Sequence, residues 1–138
     1  MWFFNGNEFT EDMIGDNYGF VYLITNLQDG RKYVGKKFFY SSKSKQVKGK
    51  KKRIKVQSNW KTYYGSNKEL NEDVSKIGKD QFKREILHLC KTKGECGYLE
   101  AQEQFDRRVL LDDNYYNIWI MCRVHSTHVK GLINDVQL

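Results

Sequence analysis

The sequence predicts a mixed α/β domain of the α+β kind, with a small three-stranded antiparallel sheet flanked by helices. Three observations lead there. Short runs rich in β-branched and aromatic residues at 20–24, 32–35 and 82–90 have the composition and length of strands. Two longer intervals space their apolar residues as helices do: Leu70, Val74 and Ile77 in one, Tyr98, Ala101, Phe105 and Val109 in the other. The chain has 138 residues, 39% of them apolar, and no Pro, which is material for one core and too little for a two-domain enzyme.

Residues 1–17 form an acidic lead-in containing Asn and Gly, with no role assigned beyond packing its aromatics on the domain. The chain divides into an N-terminal extension at 1–18, a domain at 19–118 with a basic insertion at about 38–58, and a tail at 119–138. The first two strands make a hairpin, because residues 26–30 between them carry turn chemistry. Lys48 to Lys55 has almost no apolar content and reads as a mobile loop that phosphates would order. Ser66-Asn67-Lys68-Glu69 matches a capping box with Ser66 as N-cap, opening a helix at about 67–77 that Gly78 ends. The run 82–90, between Gly78 and Gly94, is the third strand. A second helix spans 95–111 and stops at Asp112-Asp113-Asn114, after which 115–123 runs extended along the domain.

Several function classes fall away. No apolar run approaches the roughly 18–20 residues that cross a bilayer. The aromatic start lacks a basic segment and is followed by Glu11 and Asp12, unlike a signal peptide, and the three Cys read as reduced thiols. A cytoplasmic location and no membrane partner are therefore expected. Gly-rich phosphate loops are absent, so nucleotide-cofactor chemistry has no support. Cys122, His125 and His128 invite a zinc reading, but the chain has no Cys-x2-Cys pair.

Charge points to the partner. Residues 31–68 hold 14 of the 24 Lys and Arg and none of the 17 acidic residues, although the net charge is only +7. An acid-free interval repels itself and makes physical sense against a polyanion. Lys36, Lys37, Lys50, Lys51, Lys52, Lys55 and Lys61 are the expected nucleic-acid contacts, with double-stranded DNA as the expected partner. Phosphate contacts of this kind carry affinity without sequence choice.

Within that setting Tyr22 and Tyr33 lie eleven positions apart on the two hairpin strands, and Tyr33 is followed by Val34-Gly35-Lys36-Lys37. Tyrosines on strands ordinarily pack. Here Gly35 permits close backbone approach and Lys36 stands where a phosphate would come.

Phe20-Val21-Tyr22 after Gly19, followed by Tyr33-Val34-Gly35, resembles the paired motifs of the GIY-YIG nuclease superfamily, over about residues 19–118. The segments 60–66 and 82–87 look like those of small phage-encoded members. The resemblance implies a downstream Arg, a metal-binding Glu on a later helix and a supporting Asn. The matches are Arg53, with Lys52 and Lys61 as alternatives; Glu100, with Glu103 as alternative; and Asn117. Glu100 is preferred for its Leu99-Glu100-Ala101 context. It implies Mg²⁺ (or Mn²⁺) on Glu100, Tyr22 as the base that deprotonates water, Tyr33 as its hydrogen-bonding partner, and Arg53 with Lys36 on the phosphate oxygens. The expected function is metal-dependent hydrolysis of DNA phosphodiesters by an endonuclease. The alternative is a non-catalytic nucleic-acid-binding module using the same basic face, and an RNA-directed or structure-selective nuclease is a further rival. One site per chain means that cutting both strands takes a homo-oligomer or two successive nicks.

Overall fold

A computed structural model describes residues 1–135. Its strands are β1 (Trp2–Phe4), β2 (Asn7–Phe9), β3 (Gly19–Asn26), β4 (Lys32–Phe38), β5 (Tyr40–Val47), β6 (Lys50–Gln57) and β7 (Phe82–Cys90). The α-helices are α1 (Lys68–Ile77) and α2 (Lys93–Asp106), and a 3₁₀ segment covers Ser126–Asp135. The last three residues of the expected tail, 136–138, lie outside the described residues.

The main sheet has five strands in the order β2-β1-β7-β3-β4 and is mixed, because β1 runs parallel to β7. The antiparallel trio β7-β3-β4 is present at one end of it, so the three-stranded expectation is corrected by two added strands. The aromatic lead-in supplies them. Asn5 and Gly6 turn the chain with φ of 52° and 81°, as a two-residue hairpin turn requires. Trp2 and Phe9 are then buried, and the Trp2 indole N–H donates to the Trp60 carbonyl at 2.8 Å. Asn-Gly between aromatic runs was the overlooked signal.

The basic insertion is a second hairpin. β5 and β6 pair antiparallel from Tyr40↔Gln57 to Val47↔Lys50, separate from the main sheet, and Lys48 and Gly49 turn with φ of 51° and 77°. The expected mobile loop is therefore corrected to a two-stranded ribbon, regular despite its charge because every inner backbone group has a cross-strand partner.

Helix boundaries also shift. Asn67, not Ser66, caps α1, its side-chain oxygen accepting from the Leu70 N–H at 2.9 Å. Thr92 caps α2 by accepting from the Glu95 N–H at 3.1 Å, and that helix ends at Asp106. The predicted stripe fails at three of its four residues, since Tyr98 and Phe105 are exposed and Val109, though buried, lies beyond the helix. The face turned inward instead carries Cys96, Ala101 and Gln104, with Glu100 beside them.

β3 is buried on both faces. Phe20, Tyr22 and Ile24 point into a core with Trp2, Phe39, Trp60, Leu70 and Tyr116; Val21 and Leu23 point into another with Val34, Cys90, Cys96 and Val109. α1 thus covers one face and α2 the other. β4 is the edge strand, and its outer side is partly closed by the chain after α2. Lys32 N–H donates to the Asn114 carbonyl at 2.7 Å and Tyr116 N–H to the Lys32 carbonyl at 2.8 Å.

Candidate active site

The site forms where the edge of β4 becomes free. Asn117 extends the pairing by one residue with its side chain: its amide donates to the Val34 carbonyl at 2.8 Å and its oxygen accepts from the Val34 N–H at 3.1 Å. Gln104 of α2 also donates to that carbonyl, at 3.0 Å. Beyond Val34 that side-chain pairing stops, and the backbone of Lys36 turns to the Glu100 carboxylate. Side chains from both faces of the sheet therefore meet around this edge, the tyrosines from the α1 side and Lys36 with Glu100 from the α2 side.

On the α1 side, Tyr22 stands directly across from Gly35. A Cβ on Gly35 would collide with the Tyr22 hydroxyl and come within 2.6 Å of its Cζ. Gly65, at φ +89°, leaves room for both phenols; a Cβ there would lie 3.4 Å from the Tyr22 hydroxyl and 3.4 Å from the Tyr33 ring. The two rings are 6.2 Å apart, and Tyr63 packs edge-on against Tyr22 at 6.0 Å. A register shift between Val21 and Tyr22 leaves Leu87 of β7 unpaired, a bulge beside Tyr22 that locally re-aims the strand.

Exposure separates the tyrosines. Tyr22 is 1% exposed, and burial followed by the neighbouring Tyr63 and Tyr33 pushes its phenol well above the ordinary range. Tyr33 is partly buried, lines the open cavity and shares a hydrogen bond with the Ser66 hydroxyl at 3.2 Å. Burial also raises Tyr33, with the Ser66 bond pulling the other way. Both phenols are neutral near pH 7 in this state.

On the α2 side, Lys36 Nζ lies 3.2 Å from Glu100 Oε1. The Glu100 side chain is 13% exposed, and burial raises its carboxyl while Lys36 opposes that shift. Glu103 is engaged elsewhere, held by His88 Nε2 at 2.8 Å and Arg107 Nε at 2.9 Å. Burial pushes the Glu103 carboxyl up, but those two partners outweigh it and leave it lowered. A cavity of about 440 Å³ joins Tyr33, Lys36, Glu100, Gln104 and Asn117, with Ile118, Trp119 and Met121 as its apolar wall.

The donor set suits a hard divalent cation held sparsely. Glu100 offers one carboxylate, and Gln104, which also lines the cavity, has a buried Oε1 without a hydrogen-bond partner. Mg²⁺ keeps several waters and takes one or two protein oxygens plus phosphate, which this pair fits. No group of three or more His, Cys, Asp or Glu that could hold a metal exists among the described residues. His125 instead donates its backbone N–H to His128 Nδ1 at 3.1 Å, and Cys122 lies on the Gly97 carbonyl.

The structure gathers Tyr22, Tyr33, Gly35, Lys36, Glu100 and Asn117 and leaves Arg53 apart. Arg53 sits exposed on β6 and lines a different hollow with Tyr18, Tyr40, Ser42, Ser44 and Lys93. Lys50, Lys51, Lys52 and Lys55 are on the same ribbon, with Lys55 Nζ 4.2 Å from the Tyr40 ring. Lys37 covers the Tyr63 ring at 4.2 Å, and Lys61 pairs with Glu11 at 2.8 Å. Sequence reasoning gave Tyr63, Gly65, Ser66 and Gln104 no part in the site. The Tyr63-Tyr64-Gly65-Ser66 run just before the cap was the available signal for three of them.

Comparison with known proteins gives concordant results. Residues 2–120 match the family model described as "Putative endonuclease segE, GIY-YIG domain". A protein of Enterobacteria phage T4 carrying the same endonuclease description is 33% identical over 101 residues, which is 73% of this chain and 40% of that protein. The chain thus spans well under half the length of that relative. No solved structure matches.

Proposed function

We propose that this chain, which belongs to the GIY-YIG endonuclease family, hydrolyses phosphodiester bonds of double-stranded DNA with a divalent cation, Mg²⁺ or Mn²⁺, at the β4 edge. The observation that carries the reading is the convergence of Tyr33, Lys36 and Glu100 on one open cavity, around a glycine that only a side-chain-free residue could occupy.

Each residue has a task there. Glu100, with Gln104 beside it, would hold the cation. When bound, that cation polarises the phosphate and adds the positive charge that lowers nearby phenols and bound water. Lys36, 3.2 Å from Glu100 in the free protein, would supply a point charge to a non-bridging oxygen of the substrate. Tyr33, the phenol that reaches the cavity, acts as the base once added positive charge has let it release its own proton to solvent, and its phenolate then takes the proton from the attacking water. Tyr22, sealed behind Gly35, fixes the positions of Tyr33 and Tyr63 rather than meeting substrate. Asn117 holds the Val34 carbonyl and N–H, so that Gly35 and Lys36 keep their place on the edge. The apolar wall at Ile118, Trp119 and Met121 limits water on one side of the cavity.

The experiment is a time course on supercoiled plasmid in Mg²⁺ and in EDTA, with Glu100→Ala and Glu103→Ala in parallel. Nicked or linear product that requires Mg²⁺, persists in Glu103→Ala and disappears in Glu100→Ala is the expected outcome. Retarded but uncut plasmid in every lane would overturn catalysis in favour of a binding module.

A further inference from the structure

The ribbon has more order than phosphate attraction needs. Residues directly opposite in an antiparallel pair share a face, and three successive pairs set a small hydrogen-bonding side chain beside a cation: Ser42 with Lys55, Ser44 with Arg53, Gln46 with Lys51. This face carries no apolar side chain along those three pairs. The opposite face differs, with Lys43 paired to the half-buried Ile54 and Ser41 to the half-buried Val56. If the ribbon only tracked phosphates, its two faces would have no reason to differ in this way.

The ribbon's base is fixed to the domain. Gln57 hydrogen-bonds Glu11, the Ser58 N–H donates to the Phe39 carbonyl at 2.8 Å, and Lys55 Nζ lies 5.3 Å from the ring of Tyr18, just before β3. The hollow lined by Ser42, Ser44 and Arg53 shares Phe38, Tyr40 and Ser41 with a second hollow, and that one shares Lys36 with the Glu100 cavity. The three hollows neighbour one another through these shared residues, and Glu100 is the one acidic side chain among their lining residues.

We infer that the β5–β6 ribbon enters the major groove of duplex DNA and reads base edges with its Ser42, Ser44, Gln46, Lys51 and Arg53 face, while Lys43, Lys50 and Lys52 meet the flanking phosphates. The inference rests on the hydrolase reading only for the identity of the nucleic acid. A major groove about 12 Å wide admits a two-stranded ribbon, whereas a minor groove of about 6 Å does not. Arg pairs bidentately with guanine, Gln with adenine, and Ser with either. From Ser42 to Gln46 is four steps of about 3.4 Å, which spans roughly four base pairs.

The test separates reading from cutting. Binding is measured in EDTA with full-length Glu100→Ala protein on a randomised duplex library, and cut ends are mapped with the wild type in Mg²⁺. A recurring motif of about four base pairs is expected in the bound pool, with guanine N7 in the motif protected from dimethyl sulfate. Arg53→Ala and Gln46→Ala should each relax one motif position by about 10-fold or more. The triple Lys43→Ala, Lys50→Ala, Lys52→Ala variant should weaken all duplexes alike and flatten the salt dependence. A bound pool without any motif, unprotected N7, or a motif unchanged in Arg53→Ala and Gln46→Ala would each overturn the inference. Motif selection without cleavage would sink the hydrolase reading and leave this one standing; cleavage without a motif would do the reverse.

Discussion

The β4 edge and the β5–β6 ribbon are separated by one buried residue, Phe39, yet they are built on opposite terms. Around Gly35 every side chain is determined by another: Tyr22 by Gly35 and Gly65, Val34 by Asn117 and Gln104, Glu100 by Lys36. In the ribbon nearly every described side chain is exposed, no acid offsets the cations, and the backbone ladder alone gives regularity. A two-stranded hairpin of that kind is marginal in water unless something covers it. On the proposed reading, chemistry sits in a rigid pocket and recognition on a compliant arm that a substrate completes.

The largest effect that sharpens this contrast is at Glu100. Glu100→Ala should lower the cleavage rate by at least about 10²-fold while plasmid retardation stays at the wild-type level, because the ribbon binds without it. Next comes the division between the phenols. Tyr33→Phe should cost about 10²–10⁴-fold, the range for losing a positioned proton acceptor, and Tyr22→Phe less than about 10-fold. Equal losses in single-turnover rates would mean that the buried Tyr22 reaches the water too.

Stability supplies the third prediction. Gly35→Ala drives a methyl into the Tyr22 ring, where backbone on one side and a packed core on the other allow little relief. Chemical denaturation should show a loss of about 1–3 kcal/mol together with loss of cleavage. Replacing residues 43–54 by a two-residue turn should instead change stability by only about 0.5 kcal/mol, since that segment adds almost nothing to the core. A large loss on truncation would show that the ribbon braces the site.

What could be read in advance follows the same division. The central hairpin, the third strand and the Tyr22, Tyr33, Gly35 set were legible because strand composition and turn chemistry act locally. The N-terminal hairpin and the ribbon were missed although Asn5-Gly6 and Lys48-Gly49 mark their turns, because acidic or basic composition was weighed above turn chemistry. The α2 stripe was misplaced for an informative reason. Its true inward positions include Glu100 and Gln104, so the site itself breaks the apolar pattern that helix reading depends on. Arg53 was drawn into the site by being the one Arg between Gly35 and the α1 cap, a statement about order along the chain that says nothing of distance.

The smallest expected effect probes the ribbon's electrostatics directly. Lys45 is paired with Lys52 in the backbone register, and no carboxylate lies within the ribbon. Such repulsion acts over about 30 Å at 0.01 M salt and about 10 Å at 0.1 M. Across that range the thermal midpoint of the full chain should rise by about 1–2 °C as the charges are screened, and that of the chain truncated at 43–54 should stay flat. Binding of duplex DNA should reproduce the same stabilisation at low salt, because phosphates then provide the missing counter-charge. An equal rise in the truncated chain would locate the repulsion in the net +7 of the whole surface and remove the electrostatic half of the contrast.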